Sequence, residues 1–281
     1  MEQAITLDHF DAVLKFLRSN LSFSALIAVS EKMKNGHPAF SRTKVFVDNL
    51  AVISTVVIDE GGIIEFDPEE VHLMIFMKDT NLKINCQLID QSFPLEKTLL
   101  YCCRQSVTDS MVQSLNRKFS LVASTVTYIL PQKTRISPSC PAGYSFRRAT
   151  QVDASYFHST WKFAASQQLT PFTAGLYANI LVHLPSVVVI KKEKDKEIIV
   201  GCGMQDLVGC IAKVYVDESH RRCGLASFIV CELSSQIRAA GDLMPPHAYV
   251  EKDNAASASV FEKLEFDRHN DTIVWGRLLP E

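Results

Sequence analysis

The segment Ala212-Lys213-Val214-Tyr215-Val216-Asp217-Glu218-Ser219-His220-Arg221-Arg222-Cys223-Gly224-Leu225-Ala226 passes from a strand pattern, through a polar loop, into a helix. Beyond the loop, Leu225, Phe228, Ile229, Leu233 and Ile237 recur at helical spacing as a core-facing stripe. Gly241 stands where a helix C-terminal cap is expected. The first turn of a helix carries unpaired backbone N–H groups and partial positive charge, so it receives phosphate readily. Gly224 and Ala226 keep that approach clear of side-chain bulk, and Arg221 and Arg222 add charge. A pyrophosphate fits such a pattern; an ordinary surface helix with arginines near its start is the alternative.

The flanking sequence reads as strand Tyr144–Arg148, helices Val152–Trp161 and Pro171–His183, then strands Ser186–Lys191, Ile198–Met204 and Cys210–Val216. After the helix Arg221–Ala240 come strand His247–Glu251, helix Asn254–Leu264 and strand Thr272–Arg277. Such an order predicts an α/β layered domain with helices flanking a mixed, twisted sheet. Upstream, Pro131 to Gly143 contains three prolines with Ser and Gly, the composition of a connector. The expected division is therefore 1–133, a linker at 134–143, and 144–281. The first part reads as mixed α/β and smaller. Its expected helices are Leu7–Arg18, Ser24–Met33 and Ser110–Phe119, and its expected strands Lys44–Val47, Ala51–Ile58, Val71–Met77, Thr98–Cys103 and Ser124–Leu130. It shows no recognisable catalytic motif.

Bulk properties exclude several classes. The 281 residues fit roughly two domains. A net charge of -2 gives no electrostatic footprint for nucleic acid. The apolar runs are strand-length, well short of the ~20 residues that span a bilayer, so no membrane partner is expected. The acidic start Met1-Glu2-Gln3-Ala4-Ile5-Thr6-Leu7-Asp8 resembles neither a signal peptide nor a transit peptide, and cytosol is the expected compartment. Eight cysteines include no Cys-x-x-Cys pair, so free thiols and no metal site are expected.

The strand, turn and Arg-x-x-Gly-x-Ala helix resemble the coenzyme-A signature of the GNAT acyl-CoA N-acyltransferase superfamily. A second stretch, Tyr249-Val250-Glu251-Lys252-Asp253-Asn254 through Val260-Phe261-Glu262-Lys263-Leu264-Glu265-Phe266, resembles that superfamily's second signature. Within it, the chain is most similar to the glycine N-acyltransferase family, which pairs such a domain with an N-terminal one of comparable size. The N-terminal part matches that pairing in length and α/β character, and a GNAT-like fold is one reading of it. The resemblance implies acyl transfer from acyl-CoA (acetyl-CoA or longer) to the amino group of glycine or a related small amine. It also allows a mitochondrial location as the alternative. It assigns the pyrophosphate to backbone N–H groups from Arg222 through Cys223, Gly224 and Leu225 to Ala226, aided by Arg221. The pantetheine arm falls to Val214, Val216 and Asn254; the N-cap reading of Asn254 is equally open.

The match to the family is incomplete where the chemistry lies. The family's proposed basic glutamate falls on or near Cys210, a frequent tyrosine acid on Phe261, and the usual glycine before the final Phe on Glu265. Glu251 and Tyr249 are the leading substitutes for proton transfer, with His247 and Asp206 behind them. Cys210 itself is a candidate, against a plain reading as a buried strand thiol. Trp161 and Phe163 lie where acceptor pockets of the superfamily are built, with ordinary core packing as the plainer reading; His220 beside the arginines reads as a solvated loop residue or as a contact to the 3′-phosphate of CoA. A transferase for another amine, or a CoA binder that kept the fold and lost the base, are the competing readings.

Overall fold

The computed structural model describes residues 1–4, 6–18, 24–59, 71–78, 82–137, 139–160, 171–193, 196–242 and 244–280. They form two compact units, one comprising Met1–Thr127 with His269–Glu281, the other Tyr128–Arg268. The expected division at 134–143 differs from these units at two places. Residues 128–143 pack with the second unit, because the Arg238 guanidinium donates to the carbonyls of Pro131 at 2.8 Å and Thr134 at 2.6 Å. The last strand packs with the first.

The first unit contains β1 (Glu2–Ala4), α1 (Leu7–Leu17), α2 (Ser24–Lys34), β2 (Lys44–Val47), β3 (Thr55–Asp59) and β4 (Val71–Met77). It continues with α3 (Leu82–Ser92), β5 (Thr98–Arg104), α4 (Gln105–Leu115) and β6 (Lys118–Ile129). Its strands lie in the order β1-β2-β3-β4-β5-β12-β6, where β12 (Asp267–Leu279) is the final strand of the chain. The β4–β5 pair is parallel and β12 is antiparallel to β5, so the sheet is mixed. Val57, Leu73, Ile75 and Leu100 from the sheet pack against Cys86, Ile89, Val107 and Met111 of α3 and α4. Phe119 lies so close over Gly276 that an added Cβ would sit 2.4 Å from its ring and from the Ser120 carbonyl.

Two expected elements of this unit shift for local reasons, and one element is additional. The strand expected from Ala51 starts at Thr55, because the Asn49 side chain accepts from the N–H groups of Ala51 and Val52 and holds a turn there. The helix expected over Ser110–Phe119 runs from Gln105 and stops at Asn116, which takes a left-handed φ of 51°. Asparagine tolerates that conformation, and it frees the chain to enter β6 early. Helix α3 lies outside the sequence expectation, since Lys83, Asn85, Gln87 and Asp90 interrupt its apolar stripe.

The second unit contains β7 (Ser145–Arg147), α5 (Ala154–Ser159), α6 (Pro171–His183), β8 (Ser186–Glu193), β9 (Lys196–Gln205) and β10 (Ile211–Val216). Helix α7 (Leu225–Ala239), β11 (His247–Glu251) and α8 (Ala255–Lys263) follow. Strands β7, β8, β9 and β10 form an antiparallel sheet in that order. Strand β11 lies instead beside β6, whose last residues, Tyr128 and Ile129, belong to this unit. The expected helix Val152–Trp161 is a short 3-10 turn, Gln151–Asp153, followed by α5; residues 161–170 lie outside the described residues. Asp153 fixes that turn, accepting both guanidinium nitrogens of Arg147 at 2.7 and 2.9 Å and the N–H of Thr150 at 2.7 Å. Counted along the chain, both runs of elements are β-α-α-β-β-β-α-β-α-β, β12 completing the second. The first run is thus a counterpart of the second and comparable in length.

Candidate functional site

Strand β10 has a partner along one edge only. It pairs with β9, while no ladder joins it to β11 among the described residues. The register breaks between Ala212 and Tyr215, where Lys213 takes a left-handed φ of 52° in a β-bulge. Bulges next to a free edge re-aim side chains and leave backbone groups unpaired. Two faces follow from the alternation. Gly201 and Gly203 of β9 carry no side chain, so Ile229 and Leu233 of α7 press onto them, with Val214 and Val216 on that side. Tyr215 and Lys213 face the other way: the Tyr215 ring lies 6.5 Å from that of Tyr156 on α5, and the Lys213 ammonium donates to the Tyr177 hydroxyl on α6.

At its far end β10 leads into a loop whose hydrogen bonds stop abruptly. The Asp217 N–H bonds the Val200 carbonyl at 2.9 Å, His220 N–H bonds Asp217 O at 2.9 Å, and Arg221 Nε bonds Val216 O at 3.1 Å. From Arg222 to Ser227 no backbone N–H donates to any acceptor among the described residues. Phe228 N–H to Gly224 O, at 3.0 Å, is the first bond of the helix start. Arg222 and Gly224 take left-handed φ values of 63° and 79° on either side of Cys223. Alternation of this kind turns successive N–H groups into one concavity, a nest that binds anions. Gly224 is also the N-cap, with no side chain to occupy the orphan donors. Helix α7 thus begins at Leu225 rather than at Arg221, and Arg221, Arg222, Cys223 and Gly224 are exposed.

One wall of this nest is built from distant sequence. The Tyr144 hydroxyl meets His220 Nδ1 at 3.1 Å, and the two rings stand nearly perpendicular at 5.7 Å. The Lys191 ammonium sits 4.6 Å from the Tyr144 ring centre. His220 is thereby oriented beside the loop; nothing in the local sequence marks Tyr144 as its partner.

At the near end of β10 the hairpin Asp206–Cys210 closes. Asp206 Oδ1 accepts the N–H groups of Val208 and Cys210, both at 3.1 Å, and the Cys210 thiol lies 3.3 Å from Oδ2. The backbone of Tyr249 on β11 hydrogen-bonds the same thiol, so β10 and β11 touch here. Burial, then the Asp206 charge, pushes the Cys210 thiol well above the ordinary thiol range. It is a neutral donor at neutral pH, the wrong state for a nucleophile or a base. Burial also holds the Asp206 carboxyl up at about 6, against the pull of its hydrogen bonds from Cys210 and the charge of Lys213.

Tyr249 and Glu251 share one half-buried face of β11 with His247. His247 is buried, and burial lowers its pKa to about 4, so its ring is neutral. Asn254 caps α8, its side chain accepting the Ser257 N–H at 3.0 Å. Phe261 packs into the core, stacked on Tyr128 at 5.8 Å and edge-on to Phe266 at 5.0 Å. Glu265 adopts a φ of 61°, the left-handed helix stop for which glycine is the unstrained choice. The turn is kept although the residue differs. Trp161 and Phe163 lie outside the described residues.

Residues 188–275 match a family model described as FR47-like protein. Compared with curated proteins, the chain has no match. Among solved structures, a Drosophila protein superposes with a TM-score of 0.78 at 13% identity, covering 98% of this chain and 97% of that one. A GCN5-related N-acetyltransferase from Sphaerobacter thermophilus follows at 0.56 and 12%, covering 88% and 84%. One from Kribbella flavida gives 0.54 and 13%, covering 90% and 95%. The fold is that of the GCN5-related N-acetyltransferase, or GNAT, superfamily.

Proposed function

We propose that the chain is an acyl-CoA N-acyltransferase, which passes an acyl group from a CoA thioester to the amino group of glycine or a related small amine. The observation that carries this reading is the continuity of the nest at residues 222–227 with the unpaired edge of β10. Six N–H groups without acceptors and two flanking arginines offer a pyrophosphate its donors and its countercharge. The unpaired edge of Val214–Val216 would then offer strand-like hydrogen bonds to the amide groups of a pantetheine arm, with Asn254 as the further partner that the resemblance assigns. The thioester would arrive near the hairpin of Asp206 and Cys210.

Chemistry there needs no covalent enzyme intermediate. The amine nitrogen forms a C–N bond at the thioester carbonyl, the C–S bond breaks, and the thiolate leaves. Holding amine and thioester together supplies much of the rate. Glycine as acceptor rests on the family resemblance, and the acyl donor is acetyl-CoA or a longer acyl-CoA. A second reading, a CoA binder without turnover, is favoured by the neutral Cys210 thiol and by Phe261, neither of which moves a proton.

Free-thiol release from a panel of acyl-CoAs, with and without glycine and other small amines, separates the two. Amine-dependent release establishes the transferase and names its donor and acceptor classes. CoA binding without release under any pairing leaves the binder.

A further inference from the structure

An amine nucleophile arrives protonated at neutral pH, so an acyltransferase built on this site needs a group that takes its proton. Cys210, on or near which the resemblance places the family's base, is a buried, neutral thiol that is already a hydrogen-bond donor. Its acceptor is Asp206, and the surroundings of that carboxylate are specific. Oδ1 is fixed by two backbone N–H groups, which locks the side chain in place. Oδ2 takes only the weak S–H donor among the described residues and keeps lone pairs for another proton.

Alternation along β9 sets the direction. Gly201 and Gly203 face α7, so Cys202, Met204 and, by continuation, Asp206 face α5 and α6. Cys202 confirms that face, its thiol lying 3.8 Å from the Thr160 hydroxyl next to α5. Lys213, Ala212 and Tyr215 of β10 line the same side. The charged and titratable groups around the carboxylate are therefore Cys210 and Lys213 from the hairpin and β10, Tyr177 from α6 through Lys213, and Tyr249 from β11 through the Cys210 thiol. The carboxylate thus stands beside the Cys210 thiol through which the hairpin before β10 touches β11, at the opposite end of β10 from the nest.

We propose that Asp206 is the catalytic base, receiving the proton of the attacking ammonium group through Oδ2. This rests on the acyltransferase reading above. Asp206 takes one proton from the ammonium, and the freed nitrogen lone pair forms the C–N bond. The C–S bond breaks with its electron pair on sulfur, the nitrogen's second proton passes to that sulfur, and amide and free CoA thiol result. Asp206 then returns its proton to solvent, so one proton is released per turnover.

The test is the pH profile of kcat/KM for Asp206→Asn and Cys210→Ala, alongside CoA affinity by calorimetry. Asparagine keeps an oxygen for the two backbone N–H groups but takes no proton. Asp206→Asn is expected to lose roughly 10²–10⁴-fold in kcat/KM, to lose the acid limb of the wild-type profile near pH 6, and to bind CoA within about twofold of wild type. Cys210→Ala removes a hydrogen bond that favours the carboxylate, so its acid limb is expected to move to higher pH. Wild-type turnover and an unchanged profile in Asp206→Asn overturn the proposal; if that variant does not fold, an unmoved limb in Cys210→Ala does so. CoA binding without turnover in the wild type also overturns it. Absence of CoA binding in the wild type sinks the acyltransferase reading itself.

Discussion

Gly224 is the position at which the anion nest is most directly tested. Its φ of 79° is left-handed, and an added Cβ would meet nothing nearer than Pro141 Cγ at 3.9 Å. Space is therefore not the obstacle to alanine; backbone strain is. A left-handed residue with a Cβ costs roughly 1–2 kcal/mol, which lowers the melting temperature by about 2–4 °C for each kcal/mol in a chain of this order of size. Relief of the strain turns one N–H out of the nest, and a hydrogen bond to a charged group is worth about 1.5–3 kcal/mol. At 1.4 kcal/mol per tenfold, Gly224→Ala should weaken CoA binding by roughly 10- to 150-fold. Gly224→Trp, placed in the same open space, should cover the nest and abolish binding while the chain still folds. Gly36 is the matched control: it has a φ of 65° and open space, and it lies in the other unit. Gly36→Ala should lose similar stability and leave CoA affinity unchanged. Thermal melts and CoA calorimetry on the three variants decide the matter. A Gly224→Trp protein that binds CoA within about twofold of wild type would refute the nest as the phosphate site.

Arg222 sits at a φ of 63° that asparagine tolerates. Arg222→Asn should therefore keep its melting temperature within about 2 °C, consistent with a change under ~0.5 kcal/mol, and weaken CoA binding more at low salt than at high salt. Gly276→Ala forces a methyl against the Phe119 ring and the Ser120 carbonyl, and should cost about 1–3 kcal/mol by overpacking; an unshifted urea midpoint would argue against β12 lying beside β6 in the first unit. Burial depresses His247 to about 4 in the folded chain, below roughly 6.5 unfolded, so the unfolded state binds that proton first and stability is lost as pH falls through that window. Burial raises Asp206 to about 6 from roughly 3.9, which acts oppositely. Asp206→Asn should thus lose roughly 1–2 kcal/mol more than wild type between pH 7 and pH 5, read as urea midpoints, and parallel curves would contradict it.

What the sequence exposes and what it hides divide along a physical line. The stripe of Leu225, Phe228, Ile229, Leu233 and Ile237 and the Gly224 turn are local periodicity and local backbone preference, so they are legible without a partner. All five stripe residues are buried on α7, and Gly224 takes the left-handed turn. Three features are legible only after folding. The left-handed Lys213 has no glycine to announce it, because its bulge is set by the mismatch with β9. Asp206 and Cys210 are four residues apart and read as an ordinary hairpin; only burial raises the carboxyl to about 6 and keeps the thiol neutral. The alternating pattern of β12 shows a strand, yet nothing in it says that the strand joins β5 across more than a hundred and fifty residues of chain.

The repeated element order sharpens the argument about where function resides. In the second unit β10 and α7 are joined by residues 217–224, a connection long enough to lay down the nest and ending in Gly224. In the first unit the corresponding connection, between β4 and α3, is Lys78-Asp79-Thr80-Asn81, half as long and without glycine. Two runs of the same elements therefore differ in the length of the connection that carries the proposed phosphate site. Fold alone does not confer a site, and the proposed anion chemistry rests on residues 222–227, whose backbone N–H groups have no acceptor among the described residues.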